Sequence, residues 1–207
     1  MKIVTKLTVI ATLATFMFAG LNLLRSDTRK TLNVKDFEFS QSYLMFWDKL
    51  ERANFILESI IDTIDRPVDD RTVAWILERG IEDGGQWDMF VDLVNKYGVV
   101  PKSIMPETES SGNSSRMNNL LNYQIRAGAK KMRDLYTQEV GIESLREIKQ
   151  ATLGLVHRML CIHLGTPPTS FEWQWKDKDG QFHRDGELTP LAFAERYVST
   201  PMNEFVC

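Results

Sequence analysis

The stretch Asp83-Gly84-Gly85-Gln86-Trp87-Asp88 constrains this chain more than any other. Two adjacent glycines interrupt helical patterning and leave a strip of main chain that no side chain shields. Trp87 then opens an amphipathic run, Trp87-Asp88-Met89-Phe90-Val91-Asp92-Leu93-Val94, that closes at Lys96-Tyr97-Gly98. One reading is a simple Gly-Gly turn between two helices. The other is a surface against which an extended peptide lies, exchanging hydrogen bonds with exposed N–H and C=O groups.

The sequence around the strip predicts a mostly helical chain. Ser40 is a plausible N-cap for a helix over about 41–64, with apolar residues at Leu44, Trp47, Leu50, Phe55, Ile56 and Ile60. Asp48, Lys49, Glu51 and Arg52 fall between them as its polar side. Arg66-Pro67 breaks that helix, and a short one runs from Arg71 to Arg79 before Gly80. After helix 87–97, residues 108–115 read as a flexible surface loop. Two amphipathic helices, about 116–137 and 142–164, follow, with a break near Gly141. Phe171-Glu172-Trp173-Gln174-Trp175 alternates as a strand and turns through Lys176–Gly180 into Gln181-Phe182-His183-Arg184. Thr189 and Pro190 set the N-cap and first position of a last helix through Tyr197. Helices with one late hairpin give an α+β class.

The N-terminus reads in two ways. Residues 7–25 form one predicted helix, followed by a polar connection over 26–39. Lys2 and Lys6 precede an apolar run from Leu7 to Leu24, as in a signal peptide or short membrane anchor. Thr5, Thr8, Thr12, Thr15 and Asn22 dilute it, as in a buried helix of a globular domain.

Chemistry is sparse. The net charge of −3 and the lack of a basic stripe give no nucleic-acid signal. His157 and His163 share a helix six residues apart, on different faces, and His183 sits among charged residues of the hairpin. That spacing predicts no metal site. Cys161 reads as a small buried hydrophobe, and Cys207 is far from it. Asp177 and Asp179 before Gly180 lack the oxygen series of a calcium loop and fit a turn better.

Several segments, in order, resemble the bleomycin hydrolase/aminopeptidase C family of papain-like cysteine peptidases. They are Phe37 through Ala53, Asp83 through Met89, Lys96-Tyr97-Gly98-Val99-Val100-Pro101-Lys102, Met105-Pro106-Glu107-Thr108, and Asp177 through Gly180 on to Thr189-Pro190-Leu191. The resemblance spans about 17–207, leaving 1–16 as an atypical apolar segment. It implies part of a papain-like fold, mainly the helical lobe plus a β-hairpin, and hydrolysis of peptide bonds near an amino terminus by a cysteine thiolate. It implies peptide substrates, no metal or other cofactor, a cytoplasmic location and a closed homohexamer. It also implies that Gly84 and Gly85 bind substrate main chain, with Gln86 as a weaker neighbour.

The same resemblance exposes a departure. Phe18-Ala19-Gly20-Leu21-Asn22 matches the family's nucleophile helix, yet Thr15 and Phe16 stand where its cysteine and tryptophan belong. Leu7 to Ala11 offer no oxyanion glutamine, and the family's histidine and asparagine fall beyond Cys207. The expectation is a truncated member, inactive and weakly stable alone. Its origin is either a misassembled reading frame or a true remnant, and the remnant would be a peptide-binding or assembly module.

Overall fold

A computed structural model describes residues 15–202. The chain divides into two compact units. One comprises Met1–Trp47, Asp83–Glu107 and Pro167–Cys207, and the other comprises Asp48–Glu82 and Thr108–Thr166. Residues 7–14 of the predicted first helix and the terminal Cys207 lie outside the described residues.

In the first unit, helix α1 covers Thr15–Thr31. It continues through the stretch predicted as a polar connection because Thr28 is a buried position. The Thr28 hydroxyl lies 3.1 Å from the Leu24 carbonyl, one turn back, and 2.9 Å from the Tyr197 carbonyl. The helix stops where Asn33 takes a positive φ of 54°. Val34 N–H then reaches the Arg29 carbonyl and Asn33 N–H the Lys30 carbonyl, which satisfies the last-turn acceptors.

Helix α2, Gln41–Asp62, contributes Gln41–Trp47 to this unit and its remainder to the other. Ser40 is its cap, as the sequence predicts: its Oγ accepts from Tyr43 N–H at 3.0 Å. Glu107 adds an anion at the same helix end. Its carboxylate accepts from Gln41 N–H at 2.9 Å and from the Ser42 hydroxyl at 3.2 Å, filling an orphan donor beside the positive end of the dipole. The preceding chain pairs with the Pro101 segment, through Ser40 N–H to Val100 O and Lys102 N–H to Glu38 O.

Helix Arg71–Arg79 (α3) of the second unit and helix Trp87–Tyr97 (α4) of the first match their predicted spans. At the end of α4, Gly98 has φ 73°, and a Cβ there would collide with the Pro190 carbonyl. The Tyr43 hydroxyl donates to the Tyr97 carbonyl at 2.6 Å, and burial pushes that phenol up to about 12.

Strands Phe171–Lys176 (β1) and Phe182–Leu188 (β2) pair antiparallel, with Phe171 opposite Leu188. The return strand runs on past the predicted Arg184 to Leu188, and the register shifts by one residue between Trp173 and Gln174, opposite Asp185. The turn is held by Asp177, whose Oδ1 accepts from Asp179 N–H at 2.9 Å and Gln181 N–H at 2.8 Å. Asp177 and Asp179 are thus turn residues. The last helix, Pro190–Tyr197, is capped by Thr189, whose hydroxyl accepts from Ala192 N–H at 3.1 Å. Phe193 on this helix is fully buried among Phe171, Trp173, Tyr197 and Phe37.

In the second unit, Glu109–Gly112 (α5) replaces the flexible loop predicted for 108–115. Thr108 and Ser111 form a reciprocal capping box, with Ser111 N–H to Thr108 Oγ1 at 3.1 Å and Thr108 N–H to Ser111 Oγ at 2.9 Å. Helices Ser115–Tyr136 (α6) and Ile142–Leu164 (α7) flank the predicted break at Gly141. They approach closely enough that a Cβ on Gly128 would fall 2.5 Å from the Thr152 hydroxyl. On α2 the expected faces are partly reversed: Lys49 and Asp48 are buried, while Phe55 is 67% exposed. Lys49 lies in register with Met45, Ala53, Ile56 and Ile60, so geometry buries its stem and internal acceptors hold its charge.

Candidate functional site

The glycine strip belongs to the first unit and leads into α4 without regular structure of its own. Asp83, Gly84 and Gly85 are half-buried and Gln86 is exposed. Gln86 is the N-cap residue of α4 and makes no side-chain cap bond. Trp87 fixes the far end: its indole N–H donates to the Met202 carbonyl at 3.1 Å, and its ring lies 5.2 Å from that of Phe90. Phe90 in turn faces Gly20 on α1, where a Cβ would fall 2.6 Å from the ring. Gly20 is therefore a close-approach position that lets α4 cross α1.

Thr15 is the first described residue of α1 and stands five residues before Gly20, about 7.5 Å along the axis at 1.5 Å per residue. A threonine hydroxyl is barely ionised at neutral pH and is a poor nucleophile without a base.

Each of the three histidines has its own local partner. His183 Nε2 sits 3.0 Å from the Asp177 carboxylate, its ring stacked on Trp175 at 4.9 Å. The imidazole and the turn amides hold the Asp177 carboxyl below its ordinary 3.8. His163 meets the Ser110 hydroxyl at 2.9 Å. His157 Nδ1 lies 3.7 Å from Cys161 Sγ. Cys161 is only half-buried, against the expectation of a buried hydrophobe, because it sits on the flank of α7 beside the buried Leu160 and Leu164 positions. Among the described residues, no three His, Cys, Asp or Glu side chains group so as to hold a metal ion. Nor is any described helix long and apolar enough to cross a membrane.

Residues 14–207 match the Peptidase C1-like family. The chain belongs to that family. Aminopeptidase C of Listeria monocytogenes is 44% identical over 191 residues, which are 92% of this chain and 43% of the relative. Rat bleomycin hydrolase is 40% identical over 190 residues, 91% of this chain and 42% of the relative. The crystal structure of PepW from Lactobacillus rhamnosis HN001 superposes with a TM-score of 0.87 at 42% identity, covering 91% of this chain and 42% of that one. This member of the Peptidase C1-like family thus has a partial papain-like α+β fold and spans less than half the length of those relatives.

Sequence reasoning missed two features of this family member. Glu107 was visible only as part of Met105-Pro106-Glu107-Thr108, with no sign that it serves the start of α2. Lys49 was placed on a polar face, although its spacing from Met45 and Ala53 was a usable signal.

Proposed function

We propose that this chain is part of a cysteine-type aminopeptidase of the bleomycin hydrolase type, which removes residues from the amino end of peptides. Gly84 and Gly85 bind the substrate main chain, and Gln86 lines the same path. The observation that carries this reading is the side-chain-free strip at the head of α4, the helix whose Phe90 rests on Gly20 of α1. In the family, the helix that α1 resembles carries the nucleophile.

The chain as it stands is inactive in this proposal, because Thr15 occupies the nucleophile position. The relatives extend well beyond the matched region, and the catalytic histidine and asparagine belong to that remainder. The whole protein is cytoplasmic, assembles as a homohexamer and needs no cofactor. Thr15 also favours a second reading, a non-catalytic module that binds peptides or joins assemblies of intact relatives.

Release of a fluorophore from aminoacyl-coumarin substrates tests the first reading. The expected result is no release from this chain, with or without a thiol-reactive epoxide. Epoxide-sensitive release overturns the claim of inactivity. Co-assembly with an intact relative without turnover favours the second reading.

A further inference from the structure

The two residues that lead into the strip are held by side chains from elsewhere in the second unit. Helix α3 ends at Gly80, which has φ 59° and whose Cβ position would overlap the side-chain oxygen of Asn122. The Asn122 carboxamide clamps the next residue from both sides: its Oδ1 accepts from Ile81 N–H at 2.6 Å and its Nδ2 donates to Ile81 O at 3.1 Å. One residue later, the ammonium of Lys49 donates to the Glu82 carbonyl at 2.8 Å. Lys49 is 1% exposed, and its ammonium also stands 3.9 Å from the Asp48 carboxylate. Arg126, one turn beyond Asn122 on α6, donates to the Leu77 and Glu78 carbonyls at 2.9 and 3.1 Å. The last turn of α3 is thus fixed together with the two residues after it.

A buried lysine whose charge serves a main-chain carbonyl is an expensive arrangement for stability alone, since a well-packed apolar side chain is often as stabilising. Gly84 and Gly85 supply a reason for it. Adjacent glycines have the largest conformational freedom of any dipeptide, so holding their main chain in one shape for a peptide carries an entropic cost. Fixing the chain directly before the strip, with Trp87 fixing it directly after, lowers that ordering cost.

We propose that Lys49 and Asn122 are positioning residues for the glycine strip, holding Ile81 and Glu82 so that Gly84 and Gly85 present ordered main chain to a peptide. The proposal rests on the reading of the strip as a peptide surface. The anchoring and the binding are separable by measurement.

The test uses the isotopically labelled chain with Lys49→Met, Lys49→Arg and Asn122→Ala variants. Amide hydrogen exchange at Gly84, Gly85 and Gln86 reports anchoring, with Trp175 and Phe193 amides as references. Lys49→Met and Asn122→Ala should speed exchange at the strip about tenfold or more, with the references unchanged, as expected for loss of a hydrogen bond to a charged or buried group. Lys49→Arg, which keeps a cationic donor, should restore slow exchange. Unchanged strip exchange in Lys49→Met overturns the proposal. So does equal acceleration at the reference amides, which assigns these side chains to folding alone.

Binding is read by titrating the tripeptide amide Ala-Ala-Ala-NH2 and following the Gly84 and Gly85 resonances. Lys49→Met should weaken binding about tenfold, and Lys49→Arg should recover it, if pre-ordering sets the affinity. Equal affinity in all variants overturns the link between anchoring and binding. No response at Gly84 or Gly85 in the unmodified chain removes the peptide-surface reading, and the exchange measurement then decides the anchoring by itself.

Discussion

Around Phe193 in the first unit the interior is aromatic. Phe37, Phe171, Trp173 and Tyr197 surround it, with ring centroids 4.9–6.4 Å away. At comparable depth in the second unit stand Lys49, Lys149 and Thr152. Lys149 shares the Glu58 carboxylate with Arg146 at 3.0 Å, and Lys49 serves a carbonyl. The first interior is non-directional and is assembled from segments far apart in the chain, so its loss is a loss of buried apolar area. The second is also largely apolar, around Leu57, Ile60, Met117, Leu121 and Leu160, but its helices bury two lysines as well, and removing a lysine's partner adds a penalty for an unmet charge. Both interiors can be fully buried, yet they fail by different routes when altered.

The contrast can be broken most forcefully at Phe193. Phe193→Ala should cost about 3–5 kcal/mol in urea unfolding, the range for emptying a packed aromatic site. A loss below about 1 kcal/mol would mean that the aromatic cluster is not a cooperative core.

The second unit should respond less, and with a different signature. Glu58→Gln leaves Lys149 with a neutral acceptor and should cost about 2 kcal/mol, the scale of a hydrogen bond to a charged group. Glu58→Met combined with Lys149→Met should recover most of that loss, because the charge leaves with its partner. If the double variant is as unstable as the single one, the interior of this unit depends on the ion pair itself.

The smallest effect is expected at the hairpin turn. The folded-state Asp177 carboxyl sits below its ordinary 3.8 because His183 and turn amides favour the anion. A depressed folded value means that the contribution is present above the ordinary carboxylate value and fades as pH falls through the folded one. Asp177→Asn should therefore lower the melting temperature at pH 7 and converge with the parent as pH falls below about 4. Curves that stay parallel down to pH 2 would remove the charge from the account of this turn.

The strip and its surroundings show where legibility ended. Gly84-Gly85 was legible at once as a loop signal, although a plain turn and a peptide surface look alike at that level. Ser40, Thr189-Pro190 and Gly98 were equally readable, because a cap or a stop is a local event. The continuation of α1 to Thr31 was not. It depends on Thr28 donating toward a carbonyl 169 residues away, and nothing in Ser26–Thr31 announces such a bond. The ordering of 108–112 was missed for another reason, since a Thr-x-x-Ser box looks like any polar loop until the turn closes on itself.

By itself, the sequence determined the helix periods, most of their stops apart from that of α1, the hairpin and the family, because each rests on local stereochemistry or on motifs with a fixed order. Only the tertiary structure decided which polar groups would be buried. The Lys49 ammonium has the same sequence neighbours whether it points to water or to the Glu82 carbonyl, and helix packing selects the second. The same holds for Asn122 against Ile81 and Glu107 at the start of α2. In each case the partner is brought near by the fold, and most buried polar atoms find one in this way.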